Sequence, residues 1–318
     1  MSSNVREIGR HIHHKQLHFE IDSIVAELGA LRMDSLEERQ RKDKPPWLPS
    51  RKSLAGIVEG IGAVLFPNRL GLPAFTEGGT HYFVGHTLDV TLSKLYEQVR
   101  LELQFISGQD NLSKLEYDHA KDITQTFASR LPKVRALLDS DIRAAYEGDP
   151  AATSVDEVLV CYPGITAITH YRVAHELFLL GVPLIARMIA ELAHSTTGID
   201  IHPGAQIGGS FFIDHVTGVV IGETAVIGQR VRLYQAVTLG AKRFPTDENG
   251  VLIKGNARHP IVEDDVVIYA GATILGRITI GAGSTIGGNV WLTRSVPPGS
   301  NITQAQTRNE VYEAGGGI

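Results

Sequence analysis

Up to about residue 198, apolar residues recur at spacings of three and four with charged residues between them, the mark of amphipathic helices with one buried stripe. The segments 22–41, 87–106, 112–138 and 167–194 carry this pattern. In the last, Ile168, Tyr171, Val173, Leu177, Leu184, Met188, Ile189 and Leu192 supply a broad apolar face, and Gly181 with Pro183 predicts a kink or a break into two helices. Residues 43–50, with Pro45, Pro46 and Pro49, read as a connector.

Beyond residue 198 the period changes to six. Aliphatic residues stand at Ile201, Ile207 and Ile213, then at Ile221, Ile227, Leu233 and Leu239, then at Val262, Ile268, Ile274, Ile280, Ile286 and Leu292. In the third run Val266, Ala272, Ile278, Ser284, Val290 and Val296 follow four residues after each start. A helix repeats near 3.6 and a plain strand at 2, so a sustained period of six punctuated by glycine signals a repeat architecture. The expected shape is a coiled prism of short parallel strands, one aliphatic residue of each hexad pointing inward. The alternative, an antiparallel sandwich with accidental spacing, has to explain thirteen hexad starts in three phased runs.

A regular prism is a passive wall, so chemistry is expected where the frame slips. The step from Ile213 to Ile221 is eight and contains Asp214, His215, Val216, Thr217 and Gly218. A longer interruption, residues 240–261, contains Arg258 and His259 before Pro260. One coil of three hexads is about 18 residues, and His215 lies 15 residues beyond Asp200, so the two are expected near one corner. A carboxylate holding one imidazole nitrogen makes the other a base able to take a proton from an attacking hydroxyl. By spacing alone, His215 is either that base or a corner residue capping backbone groups. His202 reads as a corner residue.

Composition narrows the class. With 318 residues, 43% apolar content and a formal charge of -5, the chain has ample core and no global positive field for nucleic acid. The single cysteine, Cys161, reads as a small packing residue, and residues 1–10 have no apolar signal region. A cytoplasmic protein is expected. The apolar run 177–186 is about half the roughly 20 residues that span a bilayer.

The hexads resemble those of the hexapeptide-repeat acyltransferases, which implies an α+β fold: an N-terminal α-helical domain followed by a left-handed parallel β-helix, in a homo-oligomer that is a trimer or a dimer of trimers. The handedness comes from that resemblance. The segments Asp-Ile-His-Pro at 200–203, Asp-His-Val-Thr-Gly-Val-Val-Ile-Gly-Glu-Thr-Ala at 214–225, Gln-Ala-Val-Thr-Leu-Gly at 235–240 and Arg-His-Pro at 258–260 are together similar to serine O-acetyltransferases, over roughly residues 140–298. The resemblance implies transfer of acetyl from acetyl-CoA, a co-substrate, to the L-serine hydroxyl by direct attack, without a metal. It makes His215 the general base and Asp200 its partner. Arg258 and His259 hold the serine carboxylate and the reacting region, and Asp149 and Asp214 receive the amino group. An amino acid needs a cation for its carboxylate, a carboxylate for its ammonium and a base for its hydroxyl, and this set supplies all three.

Gly240, Ala241, Ala270 and Thr285 match coenzyme A positions in a groove between neighbouring β-helices, and they are equally ordinary corner residues. Domain limits are expected at 1–198, 199–298 with an inserted loop at 242–257, and 299–318 as a flexible tail. The loop is either a lid over coenzyme A, with Lys242, Arg243 and Lys254 near its phosphates, or a mobile insertion. The tail ends in glycines and Ile318; the resemblance implies that Ile318 enters the active site of O-acetylserine sulfhydrylase, the alternative being a frayed C-terminus, and that cysteine inhibits. His11, His13, His14 and His18 read as a solvated segment. Competing readings are an acyltransferase for a sugar or amine, a zinc hydratase needing three close imidazoles, and a non-catalytic scaffold.

Overall fold

A computed structural model describes residues 21–38, 47–71, 77–108, 112–242, 247–248 and 250–304. The chain divides into two compact units, Met1–Pro46 and Trp47–Ile318. The described part of the first is helix α1 (Ile21–Glu38), on which Ile21, Ile24, Val25, Leu28 and Leu31 are exposed. The histidines at 11, 13, 14 and 18, the connector up to residue 46, Arg243 and Ile318 lie outside the described residues.

The second unit opens with a helical layer: α2 (Arg51–Leu65), α3 (Pro67–Leu70), α4 (Glu77–Ser107), α5 (Lys114–Gly148), α6 (Val155–Cys161), α7 (Pro163–Leu179) and α8 (Pro183–Thr197). The expected break falls between α7 and α8, where Gly181 takes φ +83° and Pro183 begins the new helix. The N-terminus of α8 is capped from another helix: the fully buried Glu102 of α4 accepts the Leu184 and Ile185 N–H groups, both at 2.8 Å. These donors have no partner within their own helix, and leaving them dry would cost about 1–3 kcal/mol each. The serine caps of α2, α5 and α6 do the same locally. Cys161 is not packed away as expected but exposed at the end of α6. No described helix is long and apolar enough to cross a membrane.

Each of the thirteen hexad starts lies in a strand. β1 (Asp200–Ile201), β2 (Gln206–Ile207) and β3 (Phe212–Ile213) form the first coil, and β4 (Val220–Ile221), β5 (Val226–Ile227) and β6 (Arg232–Leu233) the second. The third coil is β7 (Thr238–Gly240), β8 (Ile261–Val262) and β9 (Val267–Ile268), and the fourth β10 (Thr273–Leu275), β11 (Thr279–Ile280) and β12 (Thr285–Ile286). β13 (Trp291–Leu292) and β14 (Asn301–Ile302) end the prism. All pairings are parallel, giving three faces: β1-β4-β7-β10-β13, β2-β5-β8-β11 and β3-β6-β9-β12-β14. β14 pairs with β12, so the chain stays in the prism one strand beyond residue 298. The inserted loop leaves register intact, Leu239 pairing with Ile221 and Val262 with Ile227.

The inward aliphatics, from Ile201 and Ile221 through Leu239 to Ile274 and Ile286, share one core with the helices. A buried ion pair joins the two layers. Arg172 of α7 bonds both oxygens of Asp141 of α5 at 2.9 and 3.0 Å and donates to the Ile207 and Gly208 carbonyls, while Asp141 also accepts the Phe211 N–H. These bonds seat the helical layer on the first coil, and the C-terminus of α5 thereby lies beside β3.

Candidate active site

Two edges of the prism carry the residues singled out by sequence. At the edge where the third face turns into the first, β3 ends and Asp214 and His215 follow. His215 takes φ +53° and Val216 φ +62°, left-handed conformations that are uncommon for non-glycine residues and outlying for a β-branched one. Each costs of order 1–3 kcal/mol and persists where the surroundings over-determine it. Here Gly164 of α7 packs beneath, so close that a methyl group there would stand 2.8 Å from the Ile213 carbonyl oxygen, and Gly218 N–H bonds the Gly198 carbonyl at 2.9 Å. The strained corner presents the imidazole outward, with 68% of the His215 side chain exposed.

Two carboxylates flank it. Asp214 is buried, and its Oδ1 lies 3.8 Å from His215 Nδ1. Asp149, the C-cap of α5, accepts Tyr162 O–H at 2.6 Å and Ala151 N–H at 2.8 Å. The Tyr162 bond above all, then the Ala151 bond and the charges of Arg232 and His215, holds the Asp149 carboxyl below the usual range. The same bond pushes the Tyr162 phenol up to about 12, so it remains a donor. Arg232 links Asp214 to the end of α5, donating to Asp214 Oδ2 at 2.5 Å and to the Gly148 carbonyl at 2.7 Å. Up the same edge runs an aromatic column, His215 tilted on Tyr234 (6.2 Å) and Tyr234 stacked on Tyr269 (4.9 Å), leading to Ala270.

Asp200 does not join His215 as the spacing suggested. Among the described ion pairs His215 has Asp214 alone, while the Asp200 carboxylate clusters with Glu191 and His194 within 4.8 Å. Asp200 points outward on the first face because its neighbour Ile201 takes the inward position, and β1 pairs with β4 rather than with the corner. Its strand still adjoins that corner through the Gly198–Gly218 bond.

The other edge, between the first and second faces, carries Arg258 and His259. Arg258 Nη2 bonds Glu223 Oε2 at 2.7 Å. Thr224 Oγ accepts the Arg258 and His259 N–H groups at 2.9 and 3.1 Å, and Thr224 N–H donates to His259 Nδ1 at 3.0 Å. Because Nδ1 accepts, the ring proton sits on Nε2. The ring packs against Gly222, where a methyl group would come within 2.0 Å of it. Burial first, then the Arg258 charge, pushes His259 down to about 4, so it is a neutral donor at pH 7. His202 is likewise pushed down to about 4, first by burial, and accepts Gly204 N–H at 2.9 Å, a corner role as expected. Gly240 and Ala241 begin the inserted loop on this edge, and Thr285 lies on the outer side of the third face.

Within one chain, then, His215, Asp214 and Asp149 come together, as do Arg258 and His259, but the two groups sit on different edges. Sequence reasoning missed Arg232, Tyr234, Tyr269, Glu223 and Thr224. A signal existed: Asp214, Tyr234 and Tyr269 each follow a hexad start by one residue, and Arg232 immediately precedes the start Leu233, in register with Phe212 one coil earlier.

Residues 259–294 match the bacterial transferase hexapeptide family (six repeats). The chain is 61% identical over 302 residues to a plasmid serine acetyltransferase of Synechococcus elongatus, covering 94% of this chain and 95% of that protein. Among solved structures it is similar to serine acetyltransferase isoform 3 of Entamoeba histolytica in complex with cysteine: TM-score 0.68, 34% identity, 92% of this chain and 96% of that one. It is also similar to the Neisseria gonorrhoeae serine acetyltransferase in complex with serine: TM-score 0.52, 26% identity, 80% and 95% coverage. The prism has the left-handed parallel β-helix architecture expected from the repeats.

Proposed function

Because the chain belongs to the serine acetyltransferase family, we propose that it transfers the acetyl group of acetyl-CoA to the hydroxyl of L-serine by direct attack, with His215 as general base. His215 Nε2 takes the hydroxyl proton as oxygen attacks the thioester carbonyl. The C–O bond forms, the tetrahedral intermediate collapses with cleavage of C–S, and the departing thiolate takes the proton back from the imidazolium. Asp149 and Asp214 receive the serine ammonium, and Arg258 holds its carboxylate through the guanidinium fork, with neutral His259 donating beside it. Asp200, on the strand adjoining the His215 corner, is assigned as the carboxylate that orients the imidazole once substrate occupies Asp214. Coenzyme A is assigned to Gly240, Ala241, Ala270 and Thr285.

The observation that carries this reading is an exposed imidazole on a strained corner, flanked by two anchored carboxylates. Since the carboxylate-binding pair lies on another edge of the same prism, a complete site requires a second copy. A closed ring such as a trimer, or a dimer of trimers, brings the His215 edge of one copy to the Arg258 edge of the next. One solved relative is complexed with serine and another with cysteine. The two amino acids differ only by hydroxyl against thiol, so cysteine is expected to compete at this site. We assign the enzyme to the cytoplasm, and Ile318, outside the described residues, to the active site of O-acetylserine sulfhydrylase.

Thiol release from acetyl-CoA with L-serine, homoserine, threonine and an amino sugar tests the reaction. The expected outcome is serine-dependent release that disappears in His215→Ala. Release with another acceptor alone would replace serine, and none with any acceptor would leave the scaffold reading.

A further inference from the structure

Arg232 is bonded to Asp214 and to the carbonyl of Gly148, the residue before Asp149. It stands on β6 immediately before the inward Leu233, so its side chain leaves the third face. Three quarters of that side chain is covered, with the guanidinium 4.7 Å from the Tyr234 ring centroid and 5.0 Å from that of Phe212. Nη2 takes Asp214 Oδ2 and Nη1 takes the Gly148 carbonyl, one residue before Asp149. The first bond stops rotation of the Asp214 carboxylate and leaves Oδ1 turned toward His215. The second satisfies one of the last carbonyls of α5, with a cation at the negative end of the helix, and so keeps the Asp149 cap from fraying. Two carboxylates and one guanidinium carry one net negative charge, which matches one ammonium.

A strut of purely structural use is poorly served by this choice. Arg232 Nε is buried without a hydrogen-bond partner among the described groups, a cost that an apolar side chain between Phe212 and Tyr234 would avoid. We propose that Arg232 is a positioning residue that sets Asp149 and Asp214 as a pair of acceptors for the substrate ammonium, and so makes the enzyme prefer amino-acid acceptors over hydroxy acids of the same skeleton. This rests on the proposed ammonium role of the two acids. A lysine ammonium offers its donors from one point, without the planar fork that spans the two acceptors here.

The test is steady-state kinetics of the full-length enzyme and of Arg232→Met, Arg232→Lys, Tyr162→Phe and Asp214→Asn. L-serine is compared with 3-hydroxypropionate, which lacks the amino group and is read as acceptor or as competitive inhibitor. Arg232→Met is expected to raise KM for serine by about 10-fold, with kcat within about threefold. KM for acetyl-CoA and the affinity for 3-hydroxypropionate should stay unchanged. Arg232→Lys should recover part of the loss, and Tyr162→Phe, which frees Asp149 Oδ2, should move serine the same way by less. Equal losses on both ligands, or none on either, would reduce Arg232 to a strut and overturn the proposal. Should Arg232→Met fail to fold, Arg232→Lys and Tyr162→Phe decide by the same ratio. Asp214→Asn separates the two levels: if it raises the serine KM selectively while the Arg232 variants do not, the proposal falls alone, and if it spares the ratio, the ammonium reading falls with it.

Discussion

Along the His215 edge the chain holds two successive residues in left-handed backbone and leaves the imidazole exposed. Along the Arg258 edge His259 is instead buried against Gly222 and keeps its proton on Nε2. Both edges grow from the same hexad repeat, so the contrast comes from what is added to it. The first has an eight-residue step and a helix cap, Asp149, brought alongside by α5. The second has close packing between coils and the Thr224 clasp. In the proposed reaction the base has to be reached by the serine hydroxyl and so stands clear of its own chain's packing, whereas a group that only holds a carboxylate is better fixed in place. The difference teaches that one repeat can supply both, provided the halves meet between copies.

The largest expected effect on this contrast is the loss of the base. His215→Ala should lower turnover by roughly 100-fold or more, read as thiol release, and near-normal turnover would end its assignment. If the edges meet between copies, co-assembled His215→Ala and Arg258→Ala chains, each inactive alone, should regain about a quarter of the wild-type sites by random mixing in a closed ring. No recovery in verified mixed oligomers would refute the shared site.

Smaller effects separate the edges. Gly222→Ala drives a methyl group into the His259 ring and should cost about 1–3 kcal/mol of stability, seen in thermal melts, and raise the serine KM. Gly164→Ala, which presses on the Ile213 carbonyl, should lower kcat instead because it displaces the His215 corner. Equal kinetic signatures for the two would argue against separate roles. The smallest effect is expected on acidification. His259 and His202 are each pushed down to about 4 from 6.5, first by burial and then by the nearby arginine charges. Their folded values lie below the unfolded one, so the stability they contribute is fully present above pH 6.5 and is lost as pH falls toward 4. Tm should decline over that window, and His259→Gln should flatten the decline. A slope unaffected by His259→Gln would assign the acid sensitivity to other groups.

Much of the fold was legible because its signals are local. Every hexad start became an inward strand residue, and Gly181 with Pro183 ended α7 where the helical period broke. The His215 corner was legible as a slip of two residues in an otherwise strict frame. Glu223 and Thr224 were not, because they act on Arg258 and His259 from 35 positions away. The inserted loop stretches what would be a one-coil offset of about 18 residues to nearly twice that. Arg232 was missed although its partner Asp214 lies only 18 positions away. A charged residue on an outward hexad position looks like solvated surface until the helix above it is known. Asp200 met Glu191 and His194, not His215, because α8 descends onto β1 and brings its last turn alongside.

What the sequence determined by itself is the alternation of inward and outward side chains, the length of each coil and the residue types needed to handle an amino acid. Those follow from backbone sterics and chemistry over a few neighbouring residues. Which acids share an edge, which histidine is wet and which is dry, and that the two half-sites face different ways were decided only by the tertiary structure. They depend on how coils stack across an insertion and on where the buried Arg172–Asp141 pair seats the helices, distances no local pattern encodes.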